Sequence, residues 1–145
     1  MTDADFAPDD LRTVAELMRD LDICMLSTRD GAGIAVRPMS NNGQVEFDGD
    51  SWFFAPRSGA MVRQIEAEPR IALGYIATER GVWIAIEADA EIVTDVQEKR
   101  ERWFEDLGRW FEKGPDDPEV VLIRSTAKRI RAWGGDKDLD IRRSA

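Results

Sequence analysis

The stretch Val82-Trp-Ile-Ala-Ile-Glu-Ala-Asp-Ala-Glu-Ile-Val93 decides the fold of this chain. Every second side chain is apolar from its start, and the positions between them include the carboxylates of Glu87 and Asp89. This period of two residues is typical of a β-strand that buries one face. The strand is long enough to bend between two sheets, so we expect it to organise a mostly β fold.

Shorter apolar segments lie on both sides of this strand and are separated by turn signals such as Arg29–Gly33 and Asp48-Gly49. Glycine and Asx residues at these points favour the positive φ angles of tight hairpins. The predicted strands are Ile23–Ser27, Ile34–Ser40, Gln44–Phe47, Ser51–Ala55, Ile71–Ile76, Val120–Ser125 and Lys128–Trp133.

Three segments carry apolar residues at helical spacing and are predicted to be helices. The first follows Pro8, the second fills residues 59–67 with Ser58 as its N-cap, and the third spans residues 95–111. Strands at this density with peripheral helices indicate a small antiparallel barrel instead of alternating βαβ units. We therefore predict one mainly β domain over residues 1–133, followed by a charged, flexible tail over residues 134–145.

The composition excludes several classes of function. The 145 residues suit a single domain, and they contain no histidine and one cysteine, Cys24. Serine–histidine and cysteine–histidine catalysis, histidine-ligated metals and disulfides are therefore not expected, and no metal site is predicted. The net charge of −9 argues against nucleic-acid and membrane partners. Without an apolar stretch or a basic leader, the chain is expected to be cytoplasmic.

Arg37 is the first candidate site residue. In Ile34-Ala-Val-Arg-Pro-Met-Ser40, strand alternation places Ile34 and Val36 on one face and Arg37 on the other, together with small and soft side chains. Its guanidinium suits a phosphate, which it can bind with two parallel hydrogen bonds. The alternative is an ordinary surface ion pair in a chain that has surplus carboxylates. Pro38 favours an edge strand at this point.

The second candidate is Arg57-Ser-Gly-Ala60, where a predicted strand ends and a helix begins. Backbone N–H groups at a helix start bind anions, Ser58 adds a hydroxyl, and Gly59 permits close approach. A plain helix cap is the alternative. Among the aromatic residues, Trp110 lies near a predicted helix end and is expected to reach a site or a partner subunit. Cys24 lies in an apolar strand and is expected to be inert.

Taken together, these segments resemble the pyridoxamine 5'-phosphate oxidase-like split-barrel flavoproteins, specifically their general stress protein branch. The resemblance covers roughly residues 10–133, and its pieces occur in the family's order. They are Leu26-Ser-Thr-Arg-Asp-Gly31, Arg37-Pro-Met39, Trp52-Phe-Phe54, Ile65 with Glu68-Pro69, and Trp103, Trp110-Phe111 and Gly114-Pro-Asp-Asp-Pro118.

The resemblance implies a homodimer of split β-barrels, with FMN bound in a cleft at each end of the subunit interface. It places Arg37 at the phosphate, while Pro38 and Met39 lie along the flavin ring. It also assigns residues to the cofactor from the following strand and the next loop, namely Phe53, Phe54, Ala55, Gly59 and Met61. Arg57, Ser58 and Trp110 are further candidate cofactor-binding residues because of their own positions in the sequence.

This chain departs from the family pattern in the phosphate loop. The family usually has Thr at the position of Ala55, and Ser and Lys where counting back from Ile65 gives Gly59 and Met61. Each lost charge-assisted hydrogen bond costs about 1.5–3 kcal/mol, or roughly ten- to a hundredfold in affinity. Three neighbouring residues are candidates to compensate, namely Arg57, Ser58 and Arg63. FAD or a deazaflavin are the alternatives to FMN.

The resemblance implies a flavin-binding oxidoreductase that exchanges electrons with a small-molecule donor or acceptor, in which the cofactor and not a histidine carries the chemistry. No catalytic residue and no substrate are identified. Oxidation of vitamin B6 is not expected, because the cations for a second phosphate cannot be assigned. The alternative is a non-catalytic flavin-binding or stress-response protein on the same fold.

Overall fold

The computed structural model describes residues 5–41 and 46–144. The described chain is mostly β, with antiparallel strands in one sheet and helices at its periphery, as the sequence predicts. The strands are β1 (Ile23–Asp30), β2 (Gly33–Ser40), β3 (Asp50–Pro56), β4 (Arg70–Ala77), β5 (Val82–Val93), β6 (Val120–Trp133) and β7 (Leu139–Arg142). The helices are α1 (Pro8–Met18), α2 (Ala60–Ala67) and α3 (Val96–Arg102), and a 3₁₀ helix (Glu105–Arg109) follows α3.

The strand order is β2-β1-β4-β5-β6-β3, and β7 pairs with β6 outside this path. β2 pairs with β1 alone, so it forms an edge of the described sheet, as Pro38 predicts. β1 and β4 pair only over Met25–Ser27, and from Thr28 onward β1 has no ladder partner on β4. The sheet therefore opens at the end of β1 that leads into the turn toward β2.

β5 follows the predicted alternation along its length. Val82, Ile84 and Ile86 are buried, whereas Trp83 and Glu87 face outward. The buried side chains join the inner faces of the other strands in one core, to which α1 adds Val14 and Met18 and α2 adds Val62 and Ile65. α2 packs against β1, β3 and β5, so it covers one end of the barrel. None of the described helices is long and apolar enough to cross a membrane.

A second, smaller core lies outside the barrel, where the predicted helix over residues 95–111 is interrupted. α3 ends at Arg102, and Trp103 adopts an extended backbone with ψ of 141°. This turn places the Trp103 ring 5.2 Å from the Phe54 ring in an edge-on contact, measured between centroids. The packing of Trp103 and Leu107 onto the back of β3 and β6 explains why the prediction of one continuous helix is wrong.

β6 is one strand where the sequence predicts two. Its pairing with β5 shifts by one residue, since Glu87 is opposite Arg129 and Ala88 is opposite Ala127, which leaves Lys128 as a β-bulge. Before the bulge β6 pairs with β3 on its other edge, and after it with β7. The bulge therefore marks the point at which β6 changes partners.

Part of the predicted flexible tail is an ordered strand. Leu139–Arg142 form β7, and Leu139 and Ile141 pack against the main core. Gly134 makes the return possible, because its φ is +92° and a Cβ atom there would lie 1.7 Å from the Gly81 carbonyl oxygen. In the predicted strand Gln44–Phe47, residues 44 and 45 lie outside the described residues, and Glu46 and Phe47 are not in a strand.

Lys99 provides a first test of this packing. Its side chain is 2% exposed, and Nζ donates to the Asp117 and Val120 carbonyl oxygens at 3.1 and 2.8 Å. Lys99→Met keeps the apolar stem and removes both hydrogen bonds of Nζ, although the Asp117 carbonyl oxygen still accepts from the Val120 N–H at 3.0 Å. We therefore expect a loss of about 1–3 kcal/mol in the free energy of unfolding. Denaturant unfolding measures it. The exposed control Lys113→Met should stay within about 0.5 kcal/mol of the native protein, and an equal effect of both changes would contradict this assignment.

Cys24 provides a second test. The thiol is 1% exposed, and burial raises its pKa from 9.0 to about 11, so the reactive thiolate is scarce at neutral and mildly alkaline pH. We expect a chromogenic disulfide reagent at pH 8 to modify the unfolded chain rapidly and the native protein at least about a hundredfold more slowly. Similar rates for the two states would show that the thiol is accessible.

Candidate functional site

Arg37 points toward the inner side of the sheet at its open end. Ile34 and Val36 are exposed on the opposite face of β2, as alternation predicts. The Arg37 guanidinium is half-buried and lies over the neighbouring strand β1, where Nη1 donates to the Leu26 carbonyl oxygen at 3.3 Å and to Thr28 Oγ1 at 2.9 Å. Nη2 donates to Gln64 Oε1 on α2 at 2.8 Å.

These acceptors are linked to one another. Thr28 Oγ1 donates to Gln64 Oε1 at 2.6 Å, so the threonine, the glutamine and the arginine form a closed ring of hydrogen bonds. All oxygens that contact the guanidinium are uncharged. Among the described residues, Arg37 makes no salt bridge. The alternative prediction for Arg37 is a surface ion pair. No such ion pair occurs in the described chain.

The local electrostatics keep Arg37 charged. Burial lowers its pKa, and the carboxylate of Asp30 acts in the opposite direction. An arginine pKa starts far above neutrality, so the group stays protonated. In residues 5–41 and 46–144, Nε and one hydrogen of Nη2 have no acceptor. The guanidinium thus combines a full positive charge with one unoccupied edge.

The loop after β3 does not present the second predicted anion site. Gly59, and not Ser58, is the N-cap of α2, and no side chain caps this helix. The Ser58 hydroxyl and its backbone N–H both donate to the Glu119 carboxylate, the latter at 3.3 Å. The Arg57 N–H donates to the Glu119 carbonyl oxygen at 2.7 Å. A carboxylate of the chain itself therefore occupies this place, and the prediction of Ser58 as the side-chain cap is wrong.

The other residues of this loop supply no cation to Arg37. Met61 is partly buried against the main core. Arg63 Nη1 donates to the Ser58 carbonyl oxygen at 2.7 Å, which holds that side chain at the start of the helix. Gly59 fits a close approach, since a Cβ atom there would lie 3.2 Å from the Pro56 carbonyl oxygen. Arg57 is exposed, and its side chain makes no hydrogen bond or ion pair in the described chain. Among the predicted phosphate ligands, Arg37 is the half-buried cation with an open hydrogen-bonding edge.

The remaining predicted residues lie in three different surroundings. Pro38 and Met39 follow Arg37 on the edge strand, and Met39 packs against the main core. Phe53 and Ala55 are buried in the main core and Phe54 in the outer one, so their side chains already have partners. Trp110 ends the 3₁₀ helix and is 66% exposed, with the Arg109 guanidinium 5.5 Å from its ring centroid.

A groove lies where β1 and β4 separate, next to Thr28. Its volume is about 340 Å³, and it is lined by Ser27, Thr28, Arg29, Ile34, Arg70, Ile71 and Ala72. Most of these side chains face outward, so the groove opens on the exposed side of the sheet. The described chain contains no cluster of three metal-ligating His, Cys, Asp or Glu side chains.

Sequence reasoning missed Thr28, Gln64 and Glu119. A weak signal exists for two of them, because Thr28 has the inward parity of Leu26 on its strand and Gln64 follows Met61 by one helical turn. Nothing in the sequence relates Glu119 to Ser58, which lies 61 positions away.

Several solved structures share this fold. A protein related to general stress protein 26 from Clostridium acetobutylicum has a TM-score of 0.78 at 20% identity, with 92% of this chain and 94% of that chain covered. The general stress FMN/FAD binding protein from Xanthomonas citri has a TM-score of 0.75 at 20% identity, with 92% and 94% covered. An FAD-binding protein from Mesorhizobium loti has a TM-score of 0.64 at 15% identity, with 87% and 93% covered. At these identities the likeness shows the fold alone.

No curated protein matches the sequence. The sequence model of the family described as pyridoxamine 5'-phosphate oxidase like matches residues 9–140, from α1 into β7. The match confirms the family resemblance, and it extends into the segment predicted to be a flexible tail. The chain belongs to the pyridoxamine 5'-phosphate oxidase-like family.

Proposed function

We propose that this protein binds a flavin, with FMN as the first candidate, and acts as a flavin-dependent oxidoreductase on a small-molecule electron donor or acceptor. The observation that carries the proposal is the Arg37 guanidinium, which is charged, half-buried and free of carboxylates in a chain with a net charge of −9. Family membership supports it, as do the FMN/FAD and FAD binding named for two proteins of the same fold.

The residues present fit a phosphate-bearing cofactor in part. Arg37 offers an unoccupied edge with two N–H donors, which is the geometry that a phosphate accepts. Ser58 is already bonded to Glu119, and Met61 carries no charge. Arg37 therefore carries most of the phosphate anchor on this proposal. FMN, FAD and phosphorylated deazaflavins all contain phosphate, so released-cofactor identification has to decide among them.

A bound flavin would supply the electron-transfer chemistry, and the protein would supply binding and orientation. Arg37 would fix the phosphate, and the backbone of Pro38 and Met39 would line the ring from the edge strand. The groove beside Thr28 provides an opening that a second subunit could close. A non-catalytic flavin-binding protein is the second candidate, because Arg37 is surrounded by Thr28, Gln64 and a main-chain oxygen and by no acid or base.

We also propose that the protein is a homodimer with the cofactor at the subunit interface. The outer face of the sheet carries an apolar row, in which Ile76 on β4 pairs with Trp83 on β5, and Trp83 pairs with Trp133 on β6. The face continues over β1 and β2, and its exposed apolar side chains are Ile23, Met25, Ile34, Val36, Ile76, Trp83 and Trp133. Contiguous exposed apolar area of this kind is typical of a protein–protein interface. We assign the exposed Trp110 to the cofactor site of the partner subunit.

The first prediction concerns the cofactor. The purified protein should be yellow or become so with added FMN, and Arg37→Ala should weaken FMN binding by about ten- to a hundredfold, since a charge-assisted anchor is lost. Visible absorption, released-cofactor identification and flavin titration measure this. Arg12→Ala removes one exposed positive charge on α1 and is the matched control. A colourless protein whose spectrum does not change with FMN, FAD or a deazaflavin would contradict the proposal.

The second prediction concerns the interface. Val36 is 54% exposed on the apolar face, so Val36→Glu places a carboxylate where a partner would pack and should convert the dimer to a monomer. Size-exclusion chromatography with light scattering should give twice the 16.4 kDa chain mass for the native protein and once that mass for the variant. Val96→Glu, an exposed valine on α3, should leave the dimer intact. A native monomer would overturn the dimer.

A further inference from the structure

Gln64 and Thr28 accept hydrogen bonds from the two terminal nitrogens of the Arg37 guanidinium. Nη1 is bonded to Thr28 Oγ1 and Nη2 to Gln64 Oε1, and these two oxygens lie 2.6 Å apart. Two oxygens at such a short separation resemble the two oxygens of a carboxylate facing an arginine fork. The pair therefore orients Arg37 as a carboxylate would and adds no negative charge.

The donors of Arg37 can be assigned individually. A guanidinium has five N–H donors, of which Nη1 uses two on Thr28 and the Leu26 carbonyl, and Nη2 uses one on Gln64. The two that remain are the Nε hydrogen and the outer hydrogen of Nη2. They lie side by side on one edge of the planar group and point in the same direction. This edge suits an anion with two oxygens, such as a phosphate monoester.

We propose that Gln64 is a positioning residue that, with Thr28, turns this side edge of Arg37 toward a bound phosphate and places no carboxylate against the guanidinium. The inference rests on the proposed flavin site and deepens it by naming how the phosphate is selected. Glutamine is essential to this role. A glutamate at position 64 would hold the same end of the guanidinium and neutralise it.

The test compares FMN with riboflavin, which differ by the phosphate group. We expect Gln64→Glu to lower the affinity for FMN by at least about tenfold and to leave the affinity for riboflavin within about twofold. Gln64→Met, which removes the acceptor without adding charge, should give a smaller loss that again affects FMN alone. Gln97→Glu adds the same charge at an exposed position on α3 and should change neither affinity.

Three results with these variants would overturn the inference while the proposed function stood. The first is an unchanged ratio of FMN to riboflavin affinity in Gln64→Glu. The second is an equal loss of both flavins, which would assign Gln64 to the general shape of the site. The third is an equal effect of Gln97→Glu, which would assign the loss to net charge.

A readout without flavin separates the inference from the proposed function. In a ¹⁵N spectrum of arginine Nε–H groups, inorganic phosphate should shift one signal that is absent from Arg37→Lys, and Gln64→Glu should abolish that shift. If no flavin binds but this result is obtained, the proposed function fails and the phosphate geometry stands. If phosphate shifts no such signal, or shifts it equally in Gln64→Glu, the inference is wrong.

Discussion

The two-residue period of the strands is the constraint on which the rest of this molecule depends. The inner strands bury one face in the barrel, so their other face meets solvent, a partner or, on β3 and β6, the outer core. On β2 this rule sends Ile34 and Val36 outward and Arg37 inward, onto the backbone and side chains of β1. Because β2 is an edge strand at the open end of the sheet, its inward face reaches the rim of the barrel and not its sealed interior. A cation can therefore point inward and still be accessible to an anion.

The sequence predicts features that this local period determines. The bounds of β5 and the face of Arg37 agree with prediction, since both depend on neighbouring residues only. Three features depend on contacts between distant residues: the helix ends before Trp103, β6 continues as one strand, and β7 forms. A local sequence pattern carries no information on such contacts. The same holds for the site. Gln64 is 27 positions from Arg37 and 36 from Thr28, so the fold alone brings the three together.

Neutral hydrogen-bond partners distinguish Arg37 from the arginines of this chain that form ion pairs. Arg70, Arg100, Arg124 and Arg129 each pair with a carboxylate at 3.0 Å or less, and these pairs lie largely at the surface. Such pairs cancel much of the positive field and contribute little to stability. Arg37 is surrounded by neutral oxygens, so it keeps its field at the expense of some desolvation, which is also the cause of its lowered pKa. Among the described residues, Arg37 thus has no carboxylate bonded to its guanidinium, although the chain is rich in carboxylates.

The two anion sites predicted from the sequence differ in whether a carboxylate of the chain already occupies them. At Ser58 the Glu119 carboxylate already accepts from the hydroxyl and the backbone N–H, so an incoming anion would have to displace a bonded carboxylate and leave its charge nearby. At Arg37 the unused edge faces no carboxylate, and an incoming anion loses only water. The second exchange is the more favourable, because it displaces no hydrogen-bonded carboxylate, and Asp30 acts on Arg37 without forming a salt bridge to it. If the protein binds a phosphate as we propose, its selection rests mainly on the Arg37 guanidinium, which Gln64 and Thr28 orient.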